Sequence, residues 1–126
     1  MGNMDGICCF VSVPMSAELR ERLSGSKYGL HNALFFVEDS VGDVDRETYM
    51  ASIHYDDMTY AICDQETINN NTVIFVDRET KNTFKCTTQS AALIAVNLAL
   101  GNVGFEEYQD EADSNQGIVD FPEEYF

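Results

Sequence analysis

Short apolar runs separated by turn-forming residues recur along most of the chain. Ile7–Val13 is rich in β-branched residues and is followed by Pro14, and Ala33–Val37 is a second run of the same kind. Runs of this length and composition are typical of buried strands. None of them approaches the ~20 apolar residues that a membrane-spanning helix requires. The chain is therefore expected to build its core around a sheet.

Later segments continue the same pattern. Tyr49–Tyr55 alternates between two faces and is followed closely by Thr59–Cys63, so these two segments predict a hairpin. Val73–Val76 and Thr83–Thr87 predict a second hairpin across the polar residues between them. Together the runs predict an α+β fold with a mainly antiparallel sheet of about five strands, two helices and an acidic C-terminal tail.

Helix signals occur at two places. Ser16 stands as an N-cap before Ala17–Leu23. Thr88 is the predicted N-cap of a second helix, Gln89–Leu100, which Gly101 ends and whose signals are the clearer of the two. This second helix is apolar nearly all round, so it is expected to be buried on more than one side. Its buried positions are predicted to be Leu93, Val96 and Leu100, with Ala91, Ala95 and Ala99 forming a ridge that lets another element approach.

The charge balance limits the partners that the chain can have. The 126 residues include 22 acidic and 7 basic side chains, for a formal net charge of −15. Such a charge repels phosphate backbones and anionic membrane surfaces. No direct binding to nucleic acid or membrane is expected. The expected partner is a basic protein, above all a nucleic-acid-binding protein or complex, and the sequence also allows a homodimer.

Acidic residues are concentrated toward the C-terminus. Residues 106–126 contain eight acidic side chains and no basic one. The expected organisation is a single acidic α+β domain over residues 1–105 and an acidic tail over residues 106–126, which could pack on the domain. The side chains expected to bind a partner are Glu38, Asp39, Asp43, Asp45, Asp56, Asp57, Glu106, Glu107, Asp110, Glu111, Asp113 and Phe126.

The last seven residues combine acidic and aromatic side chains, in the order Asp120-Phe121-Pro122-Glu123-Glu124-Tyr125-Phe126. This end resembles the acidic, aromatic-ended tips of single-stranded-DNA-binding proteins. The resemblance implies docking to a basic, apolar pocket on a partner protein, with the Phe126 ring and terminal carboxylate side by side.

Cysteines and short motifs give no sign of a cofactor. Cys8 and Cys9 lie in an apolar run and are interpreted as buried thiols, and Cys63 and Cys86 complete the set without any CxxC pair. No glycine-rich phosphate-binding motif is present. We therefore expect no catalytic, metal or cofactor site, four free thiols, and a reducing, cytoplasmic location.

These observations favour a non-enzymatic, protein-binding function. Carboxylates spread over a folded surface can occupy a basic nucleic-acid-binding channel. Small acidic inhibitors encoded by phages, including anti-restriction and anti-CRISPR proteins, resemble the chain in size and charge and would act in the host cytoplasm. The alternative is a non-catalytic interaction or assembly module whose acidity serves solubility. A small enzyme whose site assembles only in three dimensions is a third hypothesis.

Overall fold

The computed structural model describes residues 7–24, 33–38, 50, 58–101 and 103–121. Six strands and four helices lie within this part of the chain. In chain order they are β1 (Ile7–Val11), α1 (Ala17–Ser24), β2 (Leu34–Glu38), β3 (Thr59–Cys63), α2 (Gln65–Asn70), β4 (Thr72–Asp77), β5 (Thr83–Thr87), α3 (Thr88–Leu100), α4 (Phe105–Asp113) and β6 (Ile118–Val119).

The strands form one sheet in the order β2-β1-β3-β4-β5-β6. Its middle is antiparallel, because β4 pairs with both β3 and β5 in that sense. Parallel pairs flank this middle: β1 with β2 and β3 on one side, and β5 with β6 on the other. The α+β class is confirmed. The described part has more strands and helices than expected, and its antiparallel pairing is confined to the middle of the sheet.

The second predicted hairpin is confirmed, whereas the first is wrong. Strands β4 and β5 pair as expected, with Val73 opposite Cys86. Strand β3 pairs with β1 on one edge and β4 on the other, so neither edge is left for Tyr49–Tyr55. Within that segment only Met50 is described, and it is helical and fully buried. An alternating pattern does not specify which strand is the partner, and here β1 and β4 take both edges.

Both faces of the sheet are covered near β1, which explains its uninterrupted apolar sequence. Cys9 and Val11 face the larger cluster beneath α1 and α3, whereas Cys8 and Phe10 face a smaller cluster that includes Tyr60. The Phe10 and Tyr60 rings meet edge to face with centroids 5.4 Å apart. The observed strand ends at Val11, two residues earlier than predicted.

Helix α3 is buried at two positions of the predicted alanine ridge, Ala91 and Ala95, but not fully at Leu93, Val96 and Leu100. Leu93 and Val96 are half-buried and Leu100 is 68% exposed. The fully buried positions are Ala91, Ala92, Ile94 and Ala95. A helix that is apolar all round carries no stripe that would fix its orientation. The small alanine side chains let α1 and the sheet approach, so this face is turned inward.

The ends of α1 and α3 follow local rules. Ser16 caps α1 as predicted, since its Oγ accepts a hydrogen bond from the Leu19 amide at 3.1 Å. Thr87, rather than Thr88, is the N-cap of α3, and Thr88 is the first, buried residue of the helix. Gly101 ends α3 as predicted, in the left-handed conformation that glycine adopts without strain.

Residues 105–121 belong to the domain rather than to a separate tail. Strand β6 pairs in parallel with β5, and α4 packs against both strands. Tyr108 and Phe121 are buried, with ring centroids 6.2 Å apart. The acidic C-terminal segment therefore packs on the sheet at least as far as Phe121, an arrangement that the predicted organisation allowed.

Candidate functional site

Helix α4 carries the densest group of charges in the described part of the chain. It starts after Gly104, whose amide donates a hydrogen bond to Glu107 Oε1 at 3.4 Å. Phe105, Tyr108 and Ala112 recur at helical spacing and face the sheet, where the Phe105 ring lies 4.9 Å from that of Phe84. This anchoring turns the other side of the helix toward solvent. The exposed acids there are Glu106, Glu107, Asp110, Glu111 and Asp113.

The α4 acids repel one another, and those in its last turn also oppose the helix dipole, whereas Glu106 and Glu107 in its first turn are favoured by it. Glu106 and Asp110 are four residues apart, as are Glu107 and Glu111, and like charges at this spacing destabilise a helix. Acids in the last turn face the negative end of the helix dipole, and no basic residue is present there. No ion pair joins any of the five to a cation in the described residues. The arrangement costs local stability and leaves the charge available to a partner.

A cavity of about 300 Å³ lies between α3 and α4, beside this charged face. Apolar side chains from α3, from the connection between the two helices and from the segment after β6 form part of its wall, namely Leu93, Val103 and Phe121. Asn97 and Tyr108 also line it and are joined by a hydrogen bond of 3.0 Å from Asn97 Nδ2 to Tyr108 Oη. Two α4 acids, Glu107 and Glu111, complete the lining. We call the five α4 acids together with this cavity the α4 face.

The structure brings together five of the twelve predicted partner-binding residues. The five acids on α4 share one helix. Glu38 ends β2, at the far edge of the sheet from β6, so its strand is separated from α4 by the width of the sheet, ~24 Å at ~4.8 Å per strand. Six predicted residues lie outside the described part: Asp39, Asp43, Asp45, Asp56, Asp57 and Phe126.

The cavity beside α4 was not predicted from the sequence. A usable signal exists, because Phe105, Tyr108 and Ala112 have the spacing of an amphipathic helix, which would have placed the acids on the opposite face. No local pattern signals Leu93 or Phe121, since they reach the cavity through tertiary packing from elements far apart in the chain.

All four cysteines are free, as predicted, and all four are buried, which was predicted for Cys8 and Cys9. The Sγ atoms of Cys9 and Cys63 lie 3.5 Å apart and share a hydrogen bond. This bond lowers the pKa of the Cys63 thiol, and together with burial it raises the pKa of Cys9. Burial also raises the pKa of Cys86 well above its ordinary value of 9.0. The thiols form part of the core and are shielded from solvent.

The buried Cys86 thiol should make stability depend on pH under alkaline conditions. Its pKa is raised on folding, so above about pH 9.0 the folded state binds more protons than the unfolded state. Stability is then lost as pH rises, by at most ~1.4 kcal/mol per pH unit for one proton. We expect Cys86→Ala to lose less stability than the wild type between pH 8 and pH 10, measured by urea unfolding in reductant. If both proteins lose the same stability between pH 8 and pH 10, the Cys86 thiol is not the cause of the pH dependence.

Two further features of the described residues bear on function. Their cysteine and acidic side chains form no group of three or more that could hold a metal ion. No helix in the described ranges has the length and apolar character needed to cross a bilayer.

Comparison with known proteins gives one result. No curated protein matches the chain. A family model matches residues 16–120, from the N-cap of α1 to the residue after β6, and it includes the whole of α4. The match spans most of the chain, which therefore belongs to the family described as "Domain of unknown function (DUF6924)".

Proposed function

We propose that this protein binds a basic protein partner through the α4 face and acts without catalysis, by imitating nucleic acid and blocking the partner's nucleic-acid-binding surface. One observation carries the proposal: five exposed carboxylates stand on a nine-residue helix where they repel one another, and the three nearest its C-terminus also oppose the helix dipole. If the acids served only solubility, the same charges dispersed over the surface would do so equally well and without this repulsion. A basic partner would neutralise all five at once.

The density of charge along α4 supports imitation of nucleic acid. The five acids occupy eight consecutive positions, 106–113, which span ~12 Å at ~1.5 Å per residue. This gives one negative charge per ~2.4 Å of axis, compared with one per ~1.7 Å along duplex DNA. A channel that accepts a phosphate backbone would therefore meet a similar linear charge on α4.

The cavity beside α4 supports a protein, rather than a small cation, as the ligand. Lysine and arginine side chains bury their aliphatic stems on apolar surface while the charged group stays at a polar edge. Leu93, Val103 and Phe121 offer the apolar wall, and Glu107 and Glu111 supply carboxylates in the same lining. One basic side chain of the partner would act as an anchor here, surrounded by weaker ion pairs along the helix.

The proposed setting is the cytoplasm, where free thiols persist. If the protein is phage-encoded, the setting is the host cytoplasm, and the proposed class is that of anti-restriction or anti-CRISPR inhibitors. Complementary charge would speed association with the basic partner, and added salt would slow it, because exposed charges are screened over ~8–10 Å at 0.10–0.15 M salt.

Capture from the native host tests this proposal. Two tagged full-length baits are compared: the wild type and a variant with all five α4 acids changed to Gln or Asn. The expected result is a partner that the wild type retains, that the variant loses, and that binds nucleic acid in its own right. A partner retained equally by both baits, or one without a nucleic-acid-binding surface, would refute the proposal and favour the assembly module.

A further inference from the structure

A second cavity, of about 610 Å³, lies toward the opposite edge of the sheet from α4. Strand β1 pairs in parallel with β2 on one edge and with β3 on the other. The two strands that follow β1 in the chain therefore lie on opposite sides of it, and the strand order changes direction at β1. Open sheets with parallel strands bind ligands in the crevice outside the carboxyl ends of those strands, at the point where the strand order changes direction. The cavity lies at this place, lined by the segment after β1 and by β2 and α1.

The segment that lines the cavity is held in place. The Ser12 amide donates to the Cys63 carbonyl at 3.0 Å, and the Ser12 hydroxyl donates to the same oxygen at 3.4 Å. These bonds tie the end of β1 to the end of β3. Met15 packs against the main core from the same segment. The cavity wall is therefore preformed, as is usual for small-molecule sites.

Arg20 is the distinctive side chain of this cavity. Its guanidinium carbon lies 5.1 Å from the centroid of the Phe36 ring, and both residues line the cavity. Elsewhere in the described residues, Arg22 pairs with Glu18 and Lys85 with Glu66. No described carboxylate pairs with Arg20, although acidic side chains outnumber basic ones about threefold in the sequence.

Stacking on a ring leaves the guanidinium able to bind an anion. The five N–H donors of arginine need oxygen or other acceptor atoms, which the Phe36 ring does not supply. They form a rigid fork that matches a carboxylate or phosphate. Val13, Met15 and Phe36 add apolar surface to the lining, which suits a ligand with a planar or apolar body.

We infer that this cavity binds a small organic anion, either a carboxylate or a phosphate ester, whose charged group pairs with Arg20 and whose body lies against Phe36 and the segment after β1. The volume of about 610 Å³ is within the ~300–1,000 Å³ typical of small-molecule sites. This inference is independent of the proposed function, because it concerns the opposite edge of the sheet and a ligand of opposite charge to the partner's surface.

Titration of the ¹⁵N-labelled full-length chain with benzoate, phenyl phosphate and neutral benzyl alcohol tests the inference. We expect saturable chemical-shift changes confined to residues 12–15, 20 and 36, with a millimolar Kd for at least one anion, as ligands of about ten non-hydrogen atoms allow. Comparing the Kd of benzoate with that of phenyl phosphate shows whether the cavity prefers a carboxylate or a phosphate ester. Benzyl alcohol should bind at least tenfold more weakly.

Two matched variants separate Arg20 from net charge. Arg20→Gln and Arg22→Gln remove the same charge from the same helix, but only Arg20 lines the cavity. Arg20→Gln should raise the Kd of the anions at least tenfold, whereas Arg22→Gln should leave it within about twofold, with amide spectra showing that both variants are folded. Equal effects of the two variants, or no saturable shifts at the cavity with either anion, would overturn the inference.

Discussion

Replacing Ile94 with alanine is expected to lower the free energy of unfolding by ~2–5 kcal/mol, the range for removing a large aliphatic side chain from a packed core. Ile94 is fully buried on the face of α3 that meets the sheet and α1. Truncating it leaves a void that the surrounding side chains can fill only in part. Urea unfolding followed by circular dichroism measures the change.

Leu100→Ala is the matched control for this prediction. Leu100 lies in the last turn of the same helix but is 68% exposed, so its truncation should change stability by no more than ~0.5 kcal/mol. A larger loss for Leu100→Ala than for Ile94→Ala would mean that the other face of α3 is buried.

Neutralising Glu107 and Glu111 together is expected to weaken binding to the captured partner more than neutralising Glu106 and Asp110. The two pairs have the same charge and the same four-residue spacing, but only the first pair lines the cavity beside α4. Neutralising all five α4 acids should abolish binding, because exposed ion pairs are individually weak and act together. Surface plasmon resonance at two salt concentrations measures the affinities and the association rates.

The stability of these variants provides the control. Removing like charges at four-residue spacing relieves repulsion within α4, while neutralising Glu106 and Glu107 gives up a favourable interaction with the N-terminal end of the helix, so the neutralised proteins should stay within ~1 kcal/mol of the wild type in stability. Lost binding in a variant with an unchanged or higher Tm therefore reflects the lost charge. If neutralising either pair weakens binding equally, the cavity does not contribute to binding. If binding is intact after all five changes, α4 is not the binding surface.

Local patterns predicted much of the fold. The Val73–Val76 and Thr83–Thr87 runs are close in sequence, and their pairing needs only a short turn. Pairings between distant segments were not predicted. Parallel pairing of β1 with β3 depends on contacts between residues more than fifty positions apart, which no local pattern encodes. For the same reason the sequence could not show that β1 and β4 occupy both edges of β3.

The candidate site was predicted in part for a similar reason. Composition identified the acids from Glu106 to Asp113, but the same composition led to residues 106–126 being interpreted as a tail. The spacing of Phe105, Tyr108 and Ala112 indicates instead an amphipathic helix packed on the domain, because these side chains bury one side of an otherwise acidic helix. The surroundings of Arg20 depend on which side chains the fold brings near it, and sequence alone does not give that.

Competition for the captured partner tests the central claim most directly. The purified partner is mixed with its own fluorescently labelled nucleic acid, and this protein is added while anisotropy is followed. The account predicts that the wild type displaces the nucleic acid completely, with a dependence on concentration that matches its own Kd, and that the variant lacking all five α4 acids displaces none. A stable complex containing the partner, the nucleic acid and this protein together would contradict it.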